Sequence, residues 1–200
     1  MPHPAPLFNA SPEWARVFWV SYLAWSAMEM WIFSRDRRAA KGRSGDRGSF
    51  QLLVVSIPIG LFGAFACAYG VQGFRIPLPE ELVFWPAIVL IWAGMLFRLW
   101  AVLTLGRFFR VSVLVLDDHQ LITRGPYRFL RNPSYTGGLI TMVGVGLAFG
   151  SWLSLASAVG GLMVGYLWRI RVEEKALSQR FGAAWEQYRR KRWALIPPIW

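Results

Sequence analysis

Apolar residues along this chain come in long runs, not in the alternation of a half-buried strand. Four blocks stand out, at residues 14–33, 50–71, 82–105 and 133–168. A helix that crosses a bilayer needs roughly 20 apolar residues at about 1.5 Å rise per residue, so the first three blocks predict one span each. The fourth is too long for one span and carries Gly150-Ser151 near its middle. It therefore predicts two short helices in a tight hairpin. The expected fold is all-α: a polytopic integral membrane protein with about five transmembrane helices, the last two forming the hairpin. Residues 1–106 would hold three spans and a basic loop; residues 107–200 would hold a polar loop, the hairpin and a C-terminal helix, the whole making one integrated domain. Small residues four apart predict close helix packing: Gly60, Ala64 and Ala68 in the second block, Gly146 with Gly150 and Gly161 with Gly165 in the fourth.

Composition agrees with a membrane chain. Hydrophobic residues make up 55% and charged residues only 16%, where a soluble domain carries about a quarter charged. The 12 Trp and 14 Phe suit spans anchored at interfaces. A net charge of +11 raises the question of nucleic acid, but the basic residues lie between apolar runs and not on a soluble face. Topology and the headgroups of membrane lipids account for them, and nucleic acid is excluded as a partner. All but three of the 22 Lys and Arg fall within residues 35–49, 107–131 and 169–192, while the link between the second and third blocks offers only Arg75 beside Glu80 and Glu81. Five spans put the three basic regions on one side, which the positive-inside rule makes cytoplasmic; the N-terminus is then outside and the C-terminus cytoplasmic. Residues 1–13 have no basic n-region and no small-x-small site follows the first block, so no cleavable signal is expected. Cys67 lies in an apolar run and reads as a small buried hydrophobe. Two charges fall inside spans. Glu29 is expected to snorkel to the cytoplasmic interface; Arg98 sits deeper, and reads equally as a snorkelling residue or as a substrate-binding one.

Polar chemistry concentrates in two places. Residues 117–138 read DDHQLITRGPYRFLRNPSYTGG, and Gly125-Pro126 and Asn132-Pro133 punctuate them as ordered loop. Residues 166–177 continue the last span as a helix leaving the bilayer, with Arg169 and Glu173 four apart on one face. The antiparallel arms of the hairpin would bring the two regions together. Taken singly, Arg169 with Glu173 is an ordinary helix ion pair, His119 a surface-loop histidine, and Tyr127 or Tyr135 an interfacial anchor. No metal site is expected, because His3, His119 and Cys67 lie far apart.

Their joint order is more specific. His119-Gln-Leu121-Ile122-Thr123-Arg-Gly125-Pro126-Tyr127, then Arg131-Asn132-Pro133-Ser134-Tyr135-Thr136-Gly137, resembles the H-x-L-I-T-x-G-x-Y and R-H-P-x-Y-x-G signature of the isoprenylcysteine carboxyl methyltransferase family, itself related to the membrane phospholipid methyltransferases. Glu173-Glu174 with Leu177, then Phe181-Gly182, Trp185, Tyr188 and Ile196-Pro197, is similar to that family's ending. Phe97-Arg98-Leu99-Trp100-Ala101 with Leu105-Gly106 is similar to its third-helix pattern. The resemblance runs over residues 94–196 and departs at one position: Asn132 stands where the family commonly has His. Asparagine still donates and accepts hydrogen bonds but takes no proton, so an acid–base role falls away there.

The resemblance implies S-adenosylmethionine as cofactor, held by His119, Leu121, Ile122, Gly125, Tyr127, Arg131, Asn132, Pro133, Tyr135, Gly137 and Glu174, beside a lipid-facing tunnel. It implies Arg169 and Glu173 as the catalytic pair and, as acceptor, the carboxylate of a prenylcysteine-like or other lipophilic small molecule or lipidated substrate. A carboxylate is ionised at neutral pH and needs a cation to orient it, not a base; Arg169 fits. Two alternatives remain. An N-methyltransferase acting on a phosphatidylethanolamine-type lipid would need a base, which Glu173, Glu174 or His119 would supply. A non-catalytic membrane carrier or assembly factor would keep the fold without the chemistry. Either way no G-x-G-x-x-G turn follows a strand, so a soluble Rossmann methyltransferase is excluded. The identity of the acceptor and the oligomeric state stay open.

Overall fold

The computed structural model describes residues 5–37, 48–71, 73–109 and 121–198. Within them run six α-helices: α1 (Pro12–Arg37), α2 (Ser49–Gly70), α3 (Glu80–Leu105), α4 (Pro133–Leu147), α5 (Trp152–Phe181) and α6 (Ala183–Arg190). Every apolar block is helical, and the fourth breaks where Gly150 takes φ 72°, a left-handed conformation that glycine adopts without a Cβ clash. Three helices are long and apolar enough to cross a membrane: Ser49–Gly70, Glu80–Phe108 and Trp152–Phe181. The chain is thus an all-α, multi-pass membrane protein. The other two spans expected from the sequence differ in kind. α1 has 26 residues but is rich in Trp and carries Glu13, Arg16, Glu29 and Arg35. α4 has 15 residues, or about 22 Å of helix against a hydrocarbon core of about 30 Å. The polar segment also differs from expectation, because Pro133 opens α4 and residues 133–138 are helix. Proline suits a first helical position, where its missing N–H would have had no partner.

Three chain segments meet at one end of the bundle. Leu7 and Phe8, in a short 3₁₀ turn, donate backbone N–H groups to Phe149 O at 3.1 Å and Ala148 O at 3.2 Å in the hairpin turn. From the α2–α3 link, Ile76 N donates to Gly150 O at 3.0 Å and Phe74 O accepts from Trp152 N at 2.9 Å. Aromatic rings fill the space beneath, with Phe8 stacked on Phe18 at 4.0 Å and Phe65 edge-on to Phe149 at 4.7 Å. The end of α1, the start of α2, the end of α3, the start of α4 and the second half of α5 therefore gather at the opposite end.

Helix pairing follows the small residues. α2 runs along α5 and α3 along α4 as the two most extensive seams. Gly60 faces Gly161 across the first, closed by Ser154 Oγ donating to Ala64 O at 2.8 Å and Ser157 Oγ to Gly60 O at 3.0 Å. In the second, Gly94 faces Thr141 and Gly137 abuts the backbone of Arg98. α1 leans on α3, with Trp14 stacked on Phe84 at 4.4 Å and Trp92 Nε1 donating to Ser21 Oγ at 3.0 Å. Outward apolar side chains such as Phe62, 76% exposed, form the surface that lipid would cover.

Candidate functional site

A cavity of about 680 Å³ opens at the end away from the hairpin turn, within the range of small-molecule sites. Its two halves differ in chemistry. Trp25 and Met30 of α1 face Leu53, Val54, Ile57 and Leu61 of α2 across an apolar half, while Arg131, Asn132, Tyr135, Arg169, Glu173 and Tyr188 line a polar one.

The polar half is built on α5. Four-residue spacing stacks Arg169 over Glu173, and Arg169 Nε donates to Glu173 Oε1 at 2.7 Å. Tyr135, in the first turn of α4, donates its hydroxyl to the same oxygen at 2.7 Å. Arg169 is only 1% exposed, so its charge depends on partners; Nη1 donates to Ser49 Oγ, at the start of α2, at 3.1 Å. Three helices thus converge on one guanidinium.

A second layer closes the site towards the surface. Glu174, the next residue of α5, accepts from Arg131 Nε at 3.0 Å and from Asn132 Nδ2 at 3.1 Å. Arg131 Nη1 also donates to the backbone O of Arg189 and of Arg192, both at 3.1 Å. The chain after α6 returns along the loop: Arg131 N donates to Trp193 O at 2.8 Å and Asn132 N to Ala194 O at 3.2 Å. Tyr188 adds its hydroxyl, donated to Tyr127 O at 3.0 Å. Burial pushes the Tyr188 hydroxyl up to about 12, against the pull of Arg192 and Arg131, and burial, helped by Tyr188 and Glu173, pushes Tyr127 well above the usual tyrosine range. Both keep their protons at neutral pH. The sign follows from a raised folded-state pKa: this clamp is intact below the ordinary tyrosine value of 10.0 and is lost as pH rises through about 12.

A third cluster lies deeper. Arg98 Nε is 2.6 Å from Glu29 Oε1, and Nη2 donates to Glu29 Oε2 at 2.8 Å. Nη1 donates to the backbone O and to Oγ of Ser134, each at 3.1 Å. Glu29, expected to snorkel, forms an ion pair with Arg98 across α1 and α3, where a partly enclosed carboxylate is stabilised by a facing cation.

Of the residues singled out from the sequence, Leu121, Ile122, Tyr127, Arg131, Asn132, Tyr135, Arg169, Glu173 and Arg98 line the cavity together. Glu174 touches it through Arg131 and Asn132. Gly125, Pro133 and Gly137 sit outside the lining: Gly125 starts a 3₁₀ turn against Thr104, Pro133 opens α4, and the space beside Gly137 is filled by the Arg98 backbone. His119 lies outside the described residues. Sequence reasoning missed Glu29, Ser49, Ser134 and Tyr166. It named Trp185 and Tyr188, which also line the cavity, only as part of an ending.

An all-α membrane bundle with a cavity between its helices, apolar in one half and polar in the other, defines a class of multi-pass membrane proteins with a pocket at one end. Residues 82–184 match the family described as phospholipid methyltransferase, and the chain belongs to that family. It is 35% identical over 127 residues to a rice protein (Oryza sativa subsp. japonica) named "Probable protein-S-isoprenylcysteine O-methyltransferase", covering 60% of this chain and 66% of that one. It is 33% identical over 111 residues to the protein-S-isoprenylcysteine O-methyltransferase of Schizosaccharomyces pombe, covering 48% and 47%. The chain thus spans about two thirds of the first relative and about half of the second. Among solved structures, it resembles a eukaryotic intramembrane Ras methyltransferase, an isoprenylcysteine carboxyl methyltransferase, at TM-score 0.57 and 23% identity over 76% of this chain and 53% of that one. That likeness concerns the fold.

Proposed function

We propose that this protein is an S-adenosylmethionine-dependent O-methyltransferase that esterifies the carboxylate of a prenylcysteine-like or other lipophilic acceptor at the cytoplasmic face of a membrane. The observation that carries the reading is a single cavity joining an apolar cleft to two guanidinium groups, Arg98 and Arg169. An acceptor with a hydrocarbon tail and a carboxylate head has the matching polarity along its length. The family and the names of the relatives support the same chemistry.

The polar half suits the cofactor. Carboxylates at Glu173 and Glu174, the Asn132 amide and the rings of Trp185 and Tyr188 offer partners for a cation, for hydroxyls and for a planar base. When bound there, S-adenosylmethionine supplies a methyl group on a sulfonium, with a neutral thioether as leaving group. The chain's own work is positioning, which is a large part of such a rate. Arg169 orients the acceptor carboxylate, Glu173 holds the Arg169 fork and Tyr135 holds Glu173. The α1–α2 cleft takes the tail, and the clamp of Trp193 and Ala194 on the loop keeps water from the reacting atoms.

Purified protein should bind S-adenosylmethionine by calorimetry and, with the labelled cofactor, add one methyl to S-farnesylcysteine by mass spectrometry. Tyr135→Phe removes a hydrogen bond to a charged group, worth about 1.5–3 kcal/mol, and should weaken cofactor binding about tenfold or more. Methylation of phosphatidylethanolamine and not of the acid would assign the protein to amine lipids; no cofactor binding by the wild type would leave a non-catalytic membrane protein.

The reading includes five passes, with the N-terminus outside and the C-terminus cytoplasmic. It draws support from the meeting of the N-terminal turn, the α2–α3 link and the hairpin turn at one end, and from the charge asymmetry. In a Cys67→Ala background, Leu78→Cys should react with an impermeant thiol reagent from outside intact cells and Ser178→Cys should not. Labelling of both from the same side refutes this topology.

A further inference from the structure

The Arg98 guanidinium has two edges with two kinds of partner. One edge is anchored, Nη1 donating to Ser134 O and Oγ at 3.1 Å. The other carries the Glu29 carboxylate, with Nε 2.6 Å from Oε1 and Nη2 donating to Oε2 at 2.8 Å. This second edge is the two-pronged face that a planar carboxylate fits, and Glu29 fills it only in part: Nη2 donates to it, while Nε, though close, makes no hydrogen bond. It opens on the cavity, since Glu29, Arg98 and Ser134 all line it, and the Glu29 side chain is 32% exposed. A carboxylate of the protein therefore sits on the guanidinium that an acceptor carboxylate, its tail in the apolar half, meets before Arg169 orients it for transfer.

Resting on the carboxylate reading above, we infer that Glu29 is a positioning residue that stands in for the acceptor carboxylate: it holds the Arg98 fork while the acceptor is absent, yields it to an incoming carboxylate, and recaptures it from the uncharged product. Ser134 keeps the fork aimed while the partner changes. Trp25 Nε1, which donates to Glu29 Oε1 at 3.3 Å, moves with Glu29 on α1 and remains a donor for the displaced carboxylate. Exchanging one carboxylate for another leaves the ion pairing of Arg98 intact, so a buried charge is never stranded. A neutral lipid has nothing to exchange.

The reaction itself supplies the return. A carboxylate oxygen forms the new O–C bond as the S–C bond breaks and its electron pair goes to sulfur. Carboxylate and sulfonium become ester and thioether, and no proton moves. An ester carbonyl accepts weaker hydrogen bonds than a carboxylate, whereas Glu29 is charged and tethered nearby. Glu29 thus competes poorly with substrate and well with product, and favours product release.

Binding of S-farnesylcysteine and of its methyl ester to the purified full chain, measured by calorimetry and thermal shift without cofactor, tests this directly. Glu29→Gln vacates the fork and should tighten both ligands about fivefold or more, with KM for the acid falling and inhibition by the ester rising in step. Unchanged or weaker binding of both by a folded Glu29→Gln protein overturns the proposal. Should that variant not fold, Glu29→Asp, which keeps the charge but shortens the reach, should move both affinities the same way by a smaller factor, and no movement overturns the proposal equally. The two readings fail differently: wild type that neither binds nor methylates the acid refutes the carboxylate acceptor, whereas wild type that methylates it with Glu29 variants unaltered refutes only the exchange.

Discussion

Arg169→Lys should lower kcat by about 30- to 1000-fold, which corresponds to the roughly 2–4 kcal/mol lost with one charge-assisted contact to the transition state. Affinity for S-adenosylmethionine should change less than about threefold, because the substitution keeps the charge. What it removes is geometry. Arginine spans Glu173 Oε1 through Nε at 2.7 Å and Ser49 through Nη1 at 3.1 Å while facing the cavity, and a single ammonium at the end of a flexible stem cannot hold those directions together. With a carboxylate acceptor, activity should stay nearly flat above about pH 6, since carboxyl groups are ionised there. The Tyr127 and Tyr188 clamp imposes no loss in that range either, both hydroxyls being held above their ordinary value. A steep rise between about pH 7 and 9 together with a tolerant Arg169 would instead mark an ammonium that must lose its proton first, and with it an amine-lipid acceptor. In that case Glu173→Gln should be the more damaging substitution.

How much of this is legible in the sequence depends on whether a feature is local. The apolar blocks announce helices because each carries its own pattern, and Gly150 announces the hairpin turn because φ 72° is a local demand. Arg169 and Glu173 are legible for the same reason: four residues apart, they must share a face. Partners distant in sequence are not. Glu29 reads as a snorkelling residue until Arg98, 69 positions away, is seen opposite it. Ser49 meets Arg169 across 120 positions, and nothing around it in the chain marks it as more than the start of a helix. The backbone pairing of Trp193 and Ala194 with the loop is silent too, because it uses groups that every residue carries. The family likeness bridges part of this gap by grouping the loop with the end of α5. It does not reach α1, whose Glu29 the geometry alone connects to the site.

Two neighbouring glycines should respond in opposite ways to the same substitution. A Cβ on Gly161 would lie 2.6 Å from Gly60 Cα and 2.6 Å from Ser56 O, both backbone atoms of α2, whereas a Cβ on Gly160 meets nothing within 4 Å. Backbone cannot rotate aside as a side chain can, so Gly161→Ala must push α2 and α5 apart, and overpacking of this kind costs about 1–3 kcal/mol and sometimes more. Gly160→Ala makes no such contact and removes the conformational freedom of a mid-helix glycine, so it should leave stability unchanged or raise it by up to about 1 kcal/mol. Thermal unfolding in detergent should therefore show a large drop in Tm for Gly161→Ala and none for Gly160→Ala. The consequence reaches the chemistry, because the same seam carries Ser49 at the start of α2 to Arg169 on α5. Separating the helices lengthens that contact, so Gly161→Ala should reduce kcat even at temperatures where the protein remains folded, while Gly160→Ala retains wild-type turnover. Equal tolerance at both positions would show that the α2–α5 seam is looser than the Gly60–Gly161 approach requires.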